Sequence, residues 1–264
     1  MRSIRRSLGL AALPVGSLTF RCNICGAPNC VEADRLGRED DSCRCGSKVR
    51  YRGVIRVLSL ALFGRSLAIP DFPVRRDLTG IGLTDWEGYA RPLASKLGYT
   101  NTFLHREPKL DITAIDGFPE HGLDFVISSD VFEHVPPPVS RAFQNARKLL
   151  KPGGTFILTV PYRNEPGSRT IEHFPDLHEF EIVRADGKRQ LKNTTRDGRA
   201  QIFDDLVFHG GEGEPLEMRV FSEESLRDEL ATAGFKDFKI HDENEFVSGI
   251  YWAERWSLPM TART

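Results

Sequence analysis

The sequence predicts an α/β protein built on a doubly wound, mostly parallel sheet, preceded by a small cysteine-rich module. Three observations predict it. From residue 77 onward, short apolar runs alternate with stretches of helical period, the pattern of βαβ units. Two runs, "LDFVISS" at 123–129 and "TFILTV" at 155–160, are near-continuously apolar, as expected of strands buried on both faces. All five cysteines fall between residues 22 and 45, so the front of the chain differs in kind from the rest. At 264 residues the chain has room for one large domain and a small appendage. The expected division is a cysteine-rich module plus helix over 1–68, a linker over 69–76, and the α/β domain over 77–264, carrying a lid insertion at about 161–220.

The elements follow in order. Within "SKVRYRGVIRVLSLALFG", Val54, Val57, Leu58 and Ala61 recur at the spacing of an amphipathic helix. "IPDFPVRRD", with two prolines, reads as the linker. "DLTGIG" at 77–82 is a short strand candidate that meets its helix through "LTDW". Ala90, Leu93, Ala94 and Leu97 share a helical face, Gly98 is expected to stop that helix, and Pro92 to place its regular part late. "TNTFLH" at 100–105 is the second strand candidate. After "LDFVISS", the stripe Val139, Ala142, Phe143, Ala146, Leu149 and Leu150 predicts a helix, "KPGG" a turn, and "TFILTV" the next strand. Ser222 is placed to cap "SEESLRDELATAG", and Gly234 to end it. "DFKIHD" and "VSGIYWAERW" are expected to close the sheet as two strands.

The cysteines read as a local metal site. An odd, clustered set in an otherwise cysteine-free chain argues against a disulfide framework and for a reducing compartment, hence the cytoplasm. "CNICG" offers Cys22 and Cys25 as a knuckle, and "CRCG" offers Cys43 and Cys45 with one residue between them. The expected ion is a structural Zn2+ on these four, with Cys30 able to replace one. Four sulfurs close the coordination shell, which disfavours catalytic zinc.

With 36 basic and 37 acidic residues, the formal charge of −1 demands no polyanionic partner. Arg50, Arg52 and Arg56 read as a solvated edge, with a grip on nucleic-acid phosphates as the alternative. The longest apolar stretches, such as "VLSLALFG" at 57–64, are too short to span a bilayer. The opening arginines and "LGLAALPVGSL" have the look of a signal peptide without a clear cleavage site.

In a doubly wound sheet, ligands sit beyond the carboxyl ends of the strands near the switch in strand order. The candidate positions are therefore Gly80 to Asp85, His105 to Asp111, Ser128 to Glu133, and Pro161 onward. Gly80 and Gly82, lacking Cβ atoms, would allow close approach to a ligand. Asp85 could instead cap the following helix, and Asp111 could simply end a strand. Glu133 and His134 sit where a capping or structural role competes with a catalytic one.

"LDFVISSDVFEHVPPPVSRAFQNARKLLKPGGTFILTVPY" at 123–162 resembles the fourth-to-fifth-strand block of class I, seven-stranded S-adenosylmethionine-dependent methyltransferases. The likeness lies in Asp124, in "FEHV" at 132–135 and in "LLKPGG" at 149–154, with "LDIT" at 110–113 and the final "AGF" adding to it. The cysteine-rich front is similar to that of methyltransferase-like proteins acting on sugars or polysaccharides. What the resemblance implies is S-adenosyl-L-methionine as cofactor and methyl transfer to a small-molecule or glycan acceptor. Gly80 and Gly82 would then face the amino-acid moiety, Asp85 or Glu107 make polar contacts, Asp111 and Ile112 flank adenine, and Ser129 and Asp130 floor the methyl group. The chain departs from the family's pattern in keeping only "GIG" of three glycines and in lacking a clear ribose acid after the second strand. Acceptor activation calls for a base, and the lid supplies His173, His178 and His209 as candidates, each with packing as its rival. Other readings of the same residues are a non-catalytic binding or scaffold protein and an RNA-modifying methyltransferase.

Overall fold

A computed structural model describes residues 16–185, 187–209 and 215–264. The signal-like opening stretch to Val15 and the glycine-rich tip after His209 lie outside the described residues. The strands are β1 (Ser17–Arg21), β2 (Pro28–Glu32), β3 (Arg75–Leu83), β4 (Leu97–Thr102), β5 (Leu123–Ser129), β6 (Leu150–Thr159), β7 (Tyr162–Arg163), β8 (Ile171–Glu172), β9 (Glu179–Ala185), β10 (Lys188–Thr194), β11 (Ala200–Phe203), β12 (Arg219–Ser222), β13 (Lys236–Ile240) and β14 (Met260–Arg263). Among the described residues, four helices of ten residues or more accompany them: α1 (Val49–Phe63), α2 (Glu87–Lys96), α3 (Ser140–Leu149) and α4 (Glu223–Thr232).

The central sheet has the order β13-β14-β6-β5-β3-β4. β3 to β6 pair in parallel, while β14 runs against β6 and β13 against β14. The chain leaves β3 for β4 on one side and returns to β5 on the other, which puts the switch in strand order at the β3–β5 junction. Phe125, Val126, Ile127, Phe156 and Ile157 are fully buried, as continuous apolar runs in the centre of such a sheet require. Among the described residues the sheet has six strands, not the seven implied by the resemblance. Beyond β4 the segment 103–122 forms two isolated bridges within itself, Phe103 to Lys109 and Asp111 to Ala114, and reaches the end of α3 through the N–H groups of His121 and Gly122, which donate to the Lys148 and Leu149 carbonyls.

Several local expectations need correction. Gly80 and Gly82 lie inside β3, which runs on to Leu83; the turn itself is at Thr84. Gly98 does not stop α2 but is already in β4, where a Cβ would come within 2.6 Å of the Arg76 carbonyl oxygen. α2 is helical from Glu87 despite Pro92, and β4 ends at Thr102 rather than 105. "KPGG" lies within β6, with Gly153 at positive φ. "VSGIYWAERW" is not a strand: its buried Ile250, Tyr251 and Trp252 pack as irregular chain, and a Cβ at Gly53 of α1 would stand 2.7 Å from the Trp252 ring. The closing strand is "MTAR" instead. α4 begins as expected, with Ser222 Oγ accepting the Ser225 N–H at 3.1 Å.

The cysteine-rich front is a β1–β2 hairpin followed by α1. It does not hang from a free linker. Ile69 and Phe72 are buried, and one continuous core joins Cys22, Ile24, Leu36 and Val54 to Ile81, Phe125 and Phe156. The stretch from residue 161 to 220 holds two small sheets, β7-β12-β8 and β11-β10-β9, and a separate cluster of Phe174, Leu191, Leu216 and Met218.

Candidate active site

Two neighbouring strands end in the same unusual way. Thr84 after β3 and Asp130 after β5 both have left-handed backbones, φ 56° and 55°, although neither is glycine. Such residues cost on the order of 1 kcal/mol or more and persist where the surroundings hold them, often at functional sites. They turn the chain sharply at the carboxyl ends of the strands that flank the switch point.

Just beyond Thr84, Asp85 is buried and accepts a 2.6 Å hydrogen bond from Tyr99 Oη on β4. It does not cap α2, whose N-cap is Trp86. Burial outweighs the tyrosine bond and raises Asp85 to about 7. Its other oxygen, Oδ1, and the neighbouring Tyr89 hydroxyl are both buried without a close hydrogen bond among the described residues; so is Ser128 Oγ, and Ser128 pairs in register with Leu83. Buried polar atoms are seldom left unpaired, so the carboxyl ends of β3 and β5 fit a polar ligand that would satisfy them.

The two glycines serve that geometry from within the protein. A Cβ at Gly82 would overlap the Asp85 carboxylate and the Tyr99 hydroxyl, and one at Gly80 would overlap the Phe125 ring. Their missing side chains make room for these neighbours. Glu107 is exposed and accepts the Lys109 N–H, leaving Asp85 as the acid at the sheet. Asp111 is spent locally: its Oδ1 accepts from both the N–H and the hydroxyl of Thr113. Ile112 is buried, and its carbonyl accepts from Asn145 of α3. Ser129 accepts a 3.2 Å bond from Thr159 Oγ1.

Asp130 is held by the cysteine-rich module. Arg38 donates to both of its oxygens at 3.0 and 2.8 Å, and Arg50 reaches Oδ2 at 3.0 Å. Burial alone would raise this carboxyl, but the two guanidiniums prevail and hold it at about 2. Tyr51 of α1 stacks on Trp86 at 4.6 Å, so the module also touches the turn after β3. The expected solvated arginine edge is therefore corrected. Arg50 pairs with Asp130. Arg52 is fully buried against the carbonyls of Ser47 and Gly249 and the hydroxyl of Ser42, and Arg56 pairs with Glu245.

Within the module, Cys22, Cys25, Cys43 and Cys45 converge. The sulfurs stand 3.9 Å apart for Cys22–Cys45, 3.6 Å for Cys25–Cys43 and 3.5 Å for Cys43–Cys45. Thiolates bonded to one tetrahedral ion at about 2.3 Å stand about 3.8 Å apart, so this donor set fits zinc. Cys30 is exposed on β2 and is not one of this group.

On the lid side, Glu217 joins two of the three candidate histidines. His173 Nε2 lies 2.9 Å from its Oε1 and His209 Nε2 lies 2.8 Å from its Oε2. Burial would raise Glu217, but both imidazoles outweigh it and hold it at about 2, while Glu217 raises His209. His178 is exposed and enters through its backbone, whose N–H donates to Asn193 Oδ1. His209 meets His134 edge to face at 4.9 Å between ring centres, and the Met218 N–H donates to the Glu133 carbonyl. The 161–220 segment thus packs onto "FEHV" just past β5. Glu217, Arg38 and Tyr99 carry no signal in the sequence; each is a common residue type whose partner is distant in the chain, whereas Ser128 opens one of the stretches expected to meet a ligand.

With this geometry in place, known proteins can be set beside the chain. Residues 90–158, from α2 to β6, match the family described as Methyltransferase domain. That match covers the middle of the α/β sheet and about a quarter of the chain. It is 32% identical over 114 residues to lovastatin nonaketide synthase mokA of Monascus pilosus, an alignment covering 36% of this chain and 4% of that one. The chain therefore spans only a small fraction of that curated relative. Similar solved structures include the Burkholderia thailandensis 1,6-didemethyltoxoflavin-N1-methyltransferase, with TM-score 0.42, 18% identity and coverage of 80% of this chain and 77% of that one. An S-adenosylmethionine-dependent methyltransferase from Clostridium acetobutylicum gives TM-score 0.45 and 14% identity, covering 81% and 90%. Likenesses this distant carry nothing about substrate. Among the described residues, no helix is long and apolar enough to cross a membrane.

Proposed function

We propose that the protein transfers a methyl group from S-adenosyl-L-methionine to a small-molecule or glycan acceptor. The observation that carries this reading is the pair of unpartnered buried polar atoms, Asp85 Oδ1 and Ser128 Oγ, at the carboxyl ends of β3 and β5. They lie in and beside the block that matches a methyltransferase domain. Asp85 would hold the cofactor's ammonium group or a hydroxyl. The cofactor supplies an electrophilic methyl; the chain's task is to align it with the acceptor, since much of the rate of such a displacement comes from alignment.

His173 is the proposed base. With its Nε2–H donated to Glu217, its Nδ1 is free to take the acceptor's proton, the orientation logic of a histidine backed by a carboxylate. It borders a groove lined by Phe174, Ile202, Phe203, Asp204 and Asp205, where an acceptor with apolar and hydroxyl or cationic parts would rest. A structural Zn2+ on Cys22, Cys25, Cys43 and Cys45 fixes the module that carries Arg38 and Arg50. Calorimetric titration with S-adenosylmethionine and its demethylated product tests the reading: saturable binding is expected, and none at millimolar concentration would return the protein to a scaffold role.

A further inference from the structure

Glu133 is the least explained group in the molecule. It is fully buried, and neither carboxylate oxygen has a hydrogen-bond partner among the described residues. An ordinary core carboxyl would be paired with a donor. The side chains beside it are instead imidazoles: His134 Nε2 lies 3.8 Å from Glu133 Oε1, and the His209 ring packs against His134. One donor atom from each of Glu133, His134 and His209 falls within 4.8 Å of the others.

Both histidines are already set as ligands. His134 Nδ1 faces the Leu216 carbonyl oxygen at 2.9 Å; an acceptor there requires the proton on Nδ1 and leaves the Nε2 lone pair free, on the side facing Glu133. His209 presents Nε2–H to Glu217, which leaves its Nδ1 lone pair free. An imidazole whose second nitrogen donates to a backbone carbonyl or a carboxylate is the usual outer shell of a metal-bound histidine. Two histidines so arranged beside an unpaired buried carboxylate form a ligand set that the fold has otherwise left without use.

We propose that Glu133, His134 and His209 bind a divalent first-row transition ion, with Glu217 as the positioning residue behind His209. Imidazole and carboxylate donors suit zinc, iron, cobalt or manganese. Ligands at about 2.0–2.2 Å from one ion require the three side chains to draw together by no more than about 1 Å. This site is separate from the four-cysteine cluster and has only three protein ligands. Such a shell keeps positions open, as catalytic sites do, whereas the cysteine cluster is closed. Ion binding does not depend on the methyl-transfer reading. A second step does rest on it: an acceptor oxygen taking an open position would lose its proton to His173 more easily, because a bound cation stabilises the oxyanion.

The test is titration of metal-free full-length protein with Co2+, followed by absorption. Wild type should take up two equivalents, one with intense thiolate charge transfer from the cysteines and one with only weak ligand-field bands from nitrogen and oxygen donors. Glu133→Gln and His134→Gln should weaken the second event at least ~100-fold, and Glu217→Gln about 10-fold or more with shifted ligand-field bands, while the thiolate signal shows that each variant is folded. Saturation at one thiolate-bound equivalent in wild type, or an unchanged second event in both direct-ligand variants, would overturn the proposal. S-adenosylmethionine titration of the same samples separates the two ideas: a second ion bound without cofactor binding keeps the metal site and removes methyl transfer.

Discussion

The cysteine-rich front and the 161–220 segment pack on the same end of the sheet, yet they are attached in different ways. The module shares the main core, buries Arg52 completely, and locks Asp130 between Arg38 and Arg50. The 161–220 segment enters the main core at Tyr162, has a small core of its own, and otherwise meets the sheet through polar links, chiefly Arg219, which donates to the carbonyls of Phe132 and Val135 at 3.0 and 2.6 Å. Its outer strands leave Phe180, Ile182 and Ile202 exposed. One side is a fixed wall, and the other brings the titratable groups. An active site that must admit an acceptor against a rigid cofactor seat has a use for that asymmetry.

Four experiments would break or sharpen this contrast. The largest effect belongs to the module: structural zinc contributes on the order of 10 kcal/mol to folding in small zinc domains. Chelation or Cys43→Ser should therefore lower the thermal transition steeply, whereas a module indifferent to chelator would remove its role as a fixed wall. Asp130→Asn comes next. It leaves the largely buried Arg38 and Arg50 with only the more exposed Glu39 as an acid partner, at a cost of up to about 3 kcal/mol, measurable by urea unfolding. Because the folded Asp130 carboxyl is held below its unfolded value, its contribution is present above about pH 4 and lost as pH falls toward 2; the variant should lack that part of the acid transition.

On the lid, His173→Ala should reduce turnover about 100-fold, the scale of one general base, with unfolding free energy changed by less than about 1 kcal/mol. A stability loss as large as that of Asp130→Asn would make His173 a packing residue. Ile202→Ser should be the mildest, within about 0.5 kcal/mol, because that side chain is 61% exposed.

The contrast also explains what the sequence disclosed. β5, α3 and β6 were legible because an apolar run buried on both faces and a clean helical stripe leave little choice of structure; the observed strand Leu123–Ser129 has the expected limits. That Gly80 and Gly82 lie within β3 and make room for Phe125 and Tyr99 was not legible, because those partners are across the sheet and no local pattern records them. The three arginines looked solvated for a similar reason, since Asp130, Gly249 and Glu245 lie far along the chain. The histidines could be nominated by type alone. Only folding brings His173 and His209 to the two oxygens of Glu217, and leaves His178 outside.

The seat between β3 and β5 is tested most directly by the pH dependence of S-adenosylmethionine binding, compared with Asp85→Asn. Burial raises Asp85 to about 7 in the free protein, and pairing with a cationic cofactor favours its ionised form. Wild-type affinity should rise as pH increases through 7, by up to about tenfold per unit below that point, and the variant should bind at least ~10-fold more weakly at pH 8 with a flat profile. Equal affinity and equal pH dependence in the two proteins would contradict the assignment of Asp85 to the cofactor.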